Sequence, residues 1–239
     1  AYFVNNRKVR AETVEARFRV TGRRPELWRA DTGRAEPVSY RVEGDTTVVP
    51  LELAAQDSFF VVFREAAKQP AAVVPKRAVK PVAEITTPWE VAFQVGRGAP
   101  AIAKFSTLQG LEQSADAGIR YFSGMANYRT TFLAPKGLKR GTKLWLDLGQ
   151  VGDVAEVLVN GKVVGTAWKA PYRLEIGGAL QQGTNQLEVR VANLWVNRLV
   201  GDAQPGATKV AAAIAPTYLP TAPLRPSGLM GPVQLLEER

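Results

Sequence analysis

Apolar and polar residues alternate on both sides of one tight turn in the second half of the chain. The pair Asn160-Gly161 separates the run VAEVLV from the run KVVGTA. A two-residue turn between antiparallel strands requires positive φ angles, which asparagine and glycine adopt most readily. The pattern therefore predicts a β-hairpin. Its first strand has Val157 and Val159 on one face and Leu158 on the other, which favours burial on both faces.

The rest of the chain is also a series of short apolar runs separated by glycine- and proline-containing segments. Residues 187–192 alternate between apolar and polar positions, which is typical of a strand with one face in solvent. Further strands are predicted at residues 2–5, 14–20, 25–29, 38–42, 46–53, 59–63, 89–95, 101–105, 119–122, 127–132, 143–148 and 233–236. No segment has a convincing helical period, so the pattern predicts an all-β protein.

The composition changes sharply over residues 66–84, which contain three prolines with alanine and lysine and no aromatic residue. Such a segment cannot build a core, and its prolines stiffen it into a spacer. We therefore predict a small β-sandwich at residues 1–65, a linker at 66–84 and a larger β domain at 85–239. The alternative is that the middle segment lies against a domain as a long surface strand or arm. The length of the last segment favours a jelly roll over an immunoglobulin-size sandwich.

The residue inventory narrows the possible chemistry. The 239 residues include neither cysteine nor histidine, which excludes disulfides, thiolate nucleophiles, Ser-His-Asp triads and zinc sites that use these residues. The formal net charge is +9, but the basic residues are spread along the chain and alternate with apolar ones, as on a solvated sheet face. We expect no binding to nucleic acid. No apolar run is long enough to cross a bilayer, so we expect no membrane partner either.

Aromatic, amide and guanidinium side chains are concentrated after the hairpin. Sugars are held by aromatic rings that stack on their CH faces, while amides and guanidinium groups bond their hydroxyls. The sequence therefore predicts a carbohydrate-binding or domain-contacting site formed by Trp168, Tyr172, Asn193, Trp195, Asn197 and Arg198. The alternative is that the tryptophans fill the core or contact a neighbouring domain.

Glycosidases need two carboxyl groups held across the scissile bond. The acidic residues nearest the hairpin are Asp147, Asp153, Glu156 and Glu175. Asp147 lies where a strand-end carboxylate usually accepts hydrogen bonds in a turn, and Glu156 alternates out of a strand. We therefore predict structural roles for these residues and no catalytic residue.

Several segments resemble one enzyme family. WEVAFQ, IRYFSGMANYRTTF, LWLDLGQVGDVAEVLVNGKVVGTAWKAPYRLEI, TNQLEVRVANLWVNRLVGD and SGLMGPVQLL together resemble the carboxy-terminal end of glycoside hydrolase family 106, the α-L-rhamnosidases. The part around LWLDLG and the hairpin is also similar to the galactose-binding-like jelly roll of family 2 glycosidases. YFVNNR, PELWRADTG and SFFVVF resemble the β-sandwich that follows the catalytic barrel in the rhamnosidases.

The resemblance implies a small β-sandwich followed by a galactose-binding-like jelly roll. It also implies that the catalytic carboxylates belong to a (β/α)8 barrel. This sequence lacks the alternation of strands and helices that such a barrel requires. We therefore expect a non-catalytic fragment that acts as a carbohydrate-binding or scaffolding part of a secreted or periplasmic bacterial enzyme. Its partners would be the barrel and rhamnose-containing carbohydrate. The alternative is a purely structural module that buttresses the barrel and binds no sugar.

No cofactor is required by this account, although related jelly rolls often hold a structural calcium ion. Calcium binds through oxygen ligands alone, which this chain can supply. The candidate ligands are Asp116, Asp153 and Asp202. No loop with the spacing of an EF-hand accompanies them.

Overall fold

The computed structural model describes residues 1–75, 77–137, 143–211 and 217–238. The chain forms two compact units, Ala1–Lys76 and Arg77–Arg239. The described strands of the first unit are β1 (Tyr2–Asn5), β2 (Glu12–Phe18), β3 (Arg23–Arg29), β4 (Arg34–Pro37), β5 (Tyr40–Glu43), β6 (Thr46–Leu53), β7 (Ser58–Ala66) and β8 (Ala71–Ala72).

The described elements of the second unit are β9 (Val79–Glu84), β10 (Trp89–Phe93), β11 (Ile102–Phe105), α1 (Ala117–Arg120), β12 (Met125–Leu133), β13 (Lys143–Asp147), β14 (Gln150–Gly152), β15 (Val154–Val159), β16 (Lys162–Ala167), β17 (Arg173–Glu175), β18 (Thr184–Ala192), α2 (Val196–Asp202), β19 (Gly228–Gly231) and β20 (Gln234–Glu238). Single 3₁₀ turns lie at Leu111–Gln113 and Gly177–Ala179. Among the described residues, no helix is both long and apolar enough to cross a membrane.

The first unit is a small β-sandwich, as the sequence predicts. One four-stranded sheet has the order β1-β7-β3-β4 and the other has the order β2-β6-β5-β8. Buried side chains from both sheets form one core that includes Phe18, Tyr40, Leu51, Phe59 and Val61. Their alternation with exposed residues along each strand determines which face of each sheet turns inward.

The second unit is a larger β-sandwich. Its main sheet has six strands in the order β11-β10-β12-β18-β15-β16, and a four-stranded sheet has the order β17-β13-β20-β9. Trp89, Tyr128, Phe122, Leu144 and Leu235 belong to the continuous core of this unit. The predicted all-β class, with two successive sandwiches, is therefore confirmed.

The predicted hairpin forms β15 and β16. Val159 pairs with Lys162 across a two-residue turn, and Asn160 and Gly161 have φ angles of 52° and 77°. Leu158 is buried, as are the valines on the opposite face of the strand. The prediction of a strand buried on both faces is confirmed.

Two short helices interrupt the all-β pattern among the described residues. Residues 117–120 form α1, which covers the first two residues of the strand predicted at 119–122, and the other two residues form no strand either. The Asp116 carboxylate accepts hydrogen bonds from the Gly118 and Ile119 amides and caps this helix. The second helix, α2, has seven residues. Both are too short for a helical period to show in the sequence.

Residues 66–84, which the sequence assigns to a linker, contribute strands to both units. β8 pairs with β5 in the first unit, and β9 pairs with β20 in the second. Tyr40 Oη also donates to the Gln69 carbonyl oxygen at 3.0 Å.

Candidate carbohydrate-binding rim

The segments that carry the predicted ligand residues lie at one end of the six-stranded sheet. Ala155 of β15 pairs with Ala167, the last residue of β16, and with Val191, near the end of β18. Trp168 and Trp195 follow these two strand ends. The turn between β10 and β11 reaches the same end, because β10 runs antiparallel to β12 and β12 to β18. We call residues 94–101, 168–172 and 193–195 the rim.

Two indole rings are exposed at the rim. Trp168 is 53% exposed and Trp195 is 55% exposed, so the interpretation of these tryptophans as core residues is excluded. The Arg97 guanidinium carbon lies 5.3 Å from the centroid of the Trp195 ring, within the range of a cation–π contact. This contact restrains the ring while leaving about half of it open to solvent.

The sequence reasoning missed Arg97. It lies between Gly96 and Gly98, whose φ angles are 76° and 85°. Two glycines that flank one residue between two apolar runs indicate a tight turn, and this pattern could have drawn attention to Arg97. Its pairing with Trp195 depends on the order of the strands, which no local pattern reveals.

Tyr172 lies at the rim in a half-buried position against the core of the second unit. Burial raises the pKa of its phenol, and the negative charge of Asp153 raises that pKa further. The backbone amide of Asp153 donates to the Ala192 carbonyl oxygen at 3.1 Å, which fixes Asp153 at the end of β18. Asp153 therefore lies at the same end of the sheet as the rim, where its charge acts on the phenol of Tyr172.

This proximity gives a prediction for the Asp153→Asn variant. Removing the charge should lower the pKa of Tyr172, although burial keeps it above that of a free tyrosine. Phenolate absorbance followed during alkaline titration measures this pKa, with Tyr172→Phe identifying the signal. An unchanged Tyr172 titration in Asp153→Asn would show that the two groups do not interact.

Asn193 and Asn197 are structural anchors, and not the exposed sugar ligands that the sequence suggests. The Asn193 side chain donates to the Gly124 carbonyl oxygen at 3.1 Å and accepts from the Gly228 amide at 2.6 Å. Asn197 is 2% exposed. Its side chain donates to the carbonyl oxygen of Arg225 and accepts from the amide of the same residue, both at 2.8 Å.

Arg198 is also buried, with 6% of its surface exposed. Its Nε lies 2.9 Å from Asp202 Oδ1, which is an ion-pair distance although the N–H is not aimed at the oxygen. The Asp202 carboxylate also accepts hydrogen bonds from the amides of Val210 and Ala211. The pair therefore ties α2 to the segment that follows it. Burial explains why neither Asn197 nor Arg198 is available to a sugar.

Two of the four acidic residues considered for catalysis, Asp147 and Glu156, have structural partners. Asp147 accepts hydrogen bonds from the Gly149 amide at 2.9 Å and from Arg173 Nε at 2.6 Å. Glu156 accepts one from Arg190 at 2.9 Å across the sheet. These contacts are of the kind that strand-end and strand-face carboxylates make in sandwiches.

Two of the three candidate calcium ligands have other partners in the structure. Asp116 caps α1 and Asp202 is occupied by two amides and Arg198. In the parts of the chain that the structure describes, no group of three or more acidic residues is placed to hold a metal ion. Calcium binding therefore stays a sequence-based prediction, and no function is derived from it.

Two family models and one solved structure are similar to this chain. The α-L-rhamnosidase family model matches residues 1–42, and the model for the glycosyl hydrolase 2 galactose-binding domain-like family matches residues 116–221. The structure of a rhamnosidase from Novosphingobium sp. PP1Y is 52% identical, with a TM-score of 0.92 over 99% of this chain. The chain is similar to one part of a rhamnosidase. The predicted resemblance to glycoside hydrolase family 106 and to the family 2 jelly roll is thereby confirmed.

The chain matches only part of each of these longer proteins. It spans 22% of the Novosphingobium rhamnosidase. A second relative, from Formosa agariphila, is provisionally named a β-glucuronidase and is 47% identical over 115 residues. That match covers 48% of this chain and 10% of the Formosa protein.

Proposed function

We propose that the chain is a non-catalytic accessory region of a larger rhamnosidase-type glycoside hydrolase, and that its rim binds rhamnose-containing carbohydrate. One observation carries the proposal: two half-exposed indole rings, Trp168 and Trp195, follow the ends of β16 and β18, which lie on either side of β15, at the same end of the sheet. Exposed apolar surface that is gathered in one place and bordered by polar residues marks recognition sites, whereas singly scattered apolar residues do not.

The groups around the indoles suit a neutral sugar. A pyranose offers apolar CH faces, which rhamnose extends with its methyl group, and a set of hydroxyls. The open parts of the Trp168 and Trp195 rings supply stacking surface. Arg97, Asp153 and Tyr172 add a cation, an acceptor and a phenol at the same rim, which can bond hydroxyls of either donor or acceptor character.

Buried anchors hold the rim in place before any ligand arrives. Asn193 ties the end of β18 to Gly124 and Gly228, and Ser123 Oγ donates to the Leu194 carbonyl oxygen at 2.6 Å. A rim fixed in this way loses little conformational freedom on binding, which favours affinity.

The absence of catalysis in this region is part of the proposal. Asp147 and Glu156 form ion pairs with Arg173 and Arg190, so neither offers the uncommitted acid that protonates a leaving group. Most of the length of the related rhamnosidase lies outside the part that this chain matches. We therefore expect the purified chain to release no nitrophenol from an aryl α-L-rhamnoside.

The binding proposal predicts a loss of affinity in Trp195→Ala. Removing the ring takes away stacking area, so a rhamnose-containing oligosaccharide should bind about tenfold more weakly or worse, equivalent to about 1.4 kcal/mol. Isothermal titration calorimetry on the 239-residue chain measures this change. Trp28→Ala, at an exposed tryptophan of the first unit, is the matched control and should bind like the parent chain.

The second candidate function is a purely structural module. It is favoured by the burial of Asn197 and Arg198, which serve the fold and leave the polar side of the rim to fewer groups. A flat titration of the unmodified chain would support this module and contradict the carbohydrate-binding proposal.

A further inference from the structure

The first unit carries a row of exposed aromatic side chains that its own fold does not use. The strand register pairs Phe3 with Phe60 and Phe60 with Trp28, so the three side chains cross β1, β7 and β3 on the outer face of one sheet. Their exposed fractions are 62%, 41% and 36%. We call these three residues the aromatic row.

The register excludes a role in the core of the first unit. The neighbouring residues Val4, Leu27, Phe59 and Val61 point inward and pack in that core. Because side chains alternate along a strand, the aromatic row must face the other way. Strand faces that point to solvent usually carry polar residues, so three aromatic side chains in register indicate a surface meant to be covered.

The charges beside the aromatic row are balanced within the unit. Arg64 pairs with Glu26 at 3.2 Å, and Arg24 pairs with Glu65 at 2.7 Å. The Trp28 indole N–H donates to Glu26 at 3.2 Å. A surface with aromatic rings and internally paired charges fits an apolar protein surface better than an anionic partner.

The ring geometry argues against a sugar on this face. The Phe3 and Phe60 rings are 5.3 Å apart but tilted by 51°, so they form no flat platform for a pyranose. The Arg64 guanidinium lies 4.7 Å from the centroid of the Trp28 ring and covers part of it. Tryptophan with arginine is instead a common combination at the centre of protein–protein interfaces.

We propose that the aromatic row is the docking surface for an apolar face of the catalytic part of the same, longer polypeptide. This inference rests on the proposed function, because it takes the chain to be part of a larger hydrolase. The occupant follows from the length outside this chain: the related rhamnosidase matches 99% of these residues, yet they account for 22% of it. Most of that protein is therefore available to cover the row.

Hydroxyl-radical footprinting tests the docking. The 239-residue chain and the longer protein that contains it are oxidised in parallel, and the rates at Phe3, Phe60 and Trp28 are read by mass spectrometry. We expect rates at least roughly fivefold slower in the longer protein, because side chains in the centre of an interface are shielded from solvent. Equal rates in the two proteins would overturn the proposal. So would shielding already present in the 239-residue chain, or shielding that grows with its concentration and so indicates a second copy.

A pair of variants separates docking from folding. Phe60→Asp should leave the melting temperature of the 239-residue chain as little changed as Val163→Asp, a matched change at a 53% exposed valine on β16. In the longer protein, Phe60→Asp should lower the melting temperature more than Val163→Asp and restore rapid oxidation at Phe3. Equal melting temperatures of the two variants there would contradict docking. Sugar binding by the 239-residue chain is measured separately, so failure of the docking proposal and failure of the proposed function give different results.

Discussion

Arg198→Met is expected to lower the free energy of unfolding by about 3–5 kcal/mol, because removing one partner of a buried ion pair leaves the other charge uncompensated. Arg198 is 6% exposed, and Asp202 is intermediate in exposure. Arg198 Nε and Asp202 Oδ1 lie 2.9 Å apart. The remaining carboxylate would keep only the amides of Val210 and Ala211 as partners. Urea unfolding followed by far-UV circular dichroism measures the change.

Arg190→Met is the matched control for this variant. Arg190 pairs with Glu156 and Glu188 on the sheet surface, where its own side chain is 36% exposed. Surface pairs contribute about 0–1 kcal/mol, so this variant should unfold nearly like the parent chain. If Arg198→Met costs no more than Arg190→Met, the buried pair is not an anchor of the fold.

Asn197→Leu is expected to lower the free energy of unfolding by about 2–5 kcal/mol, because it removes the buried side chain that bonds the amide and carbonyl of Arg225 and the buried hydroxyl of Ser227. The Asn197 side chain makes both of these hydrogen bonds at 2.8 Å and a third to Ser227 Oγ at 3.2 Å. Leucine has a similar volume, so the loss measures the hydrogen bonds more than a cavity. Thermal unfolding monitored by calorimetry gives the change.

The comparison for this variant is Asn193→Leu. Asn193 makes the same kind of contacts, to Gly124 and Gly228, but is only half-buried, so water can replace part of what is lost. We expect a smaller loss of stability than in Asn197→Leu. A larger loss in Asn193→Leu would contradict the order of burial on which the two roles are based.

Local sequence patterns predict the strands well and the burial of the site poorly. The Asn160-Gly161 turn could be predicted because its backbone requirement is met by two adjacent residues. Whether Asn197 and Arg198 face solvent depends instead on a segment near residue 225 and on a carboxylate one helical turn away. Six residues with suitable chemistry were therefore predicted as one site, and the fold divides them into two exposed indoles, two half-buried residues and two buried residues.

Local sequence patterns also fail to predict that Arg97 contacts Trp195. It is separated from Trp195 by almost 100 residues of sequence and meets it because β10, β12 and β18 are neighbours in the sheet. Strand order comes from the pairing of whole strands, which a periodic pattern does not specify. The exposed positions of Trp168 and Trp195 agree with the predicted rim, while their ligand stays a proposal.

Indole resonances offer the most direct measurement of whether the rim binds sugar without cleaving it. The chain has five tryptophans, and their Nε1–H signals can be assigned by single substitution and followed in a ¹⁵N-correlated spectrum. On addition of a rhamnose-containing oligosaccharide, we predict shifts at Trp168 and Trp195, constant signals from Trp28, Trp89 and Trp145, and recovery of the intact oligosaccharide. Constant signals at both rim indoles, or cleavage products in the tube, would contradict the account.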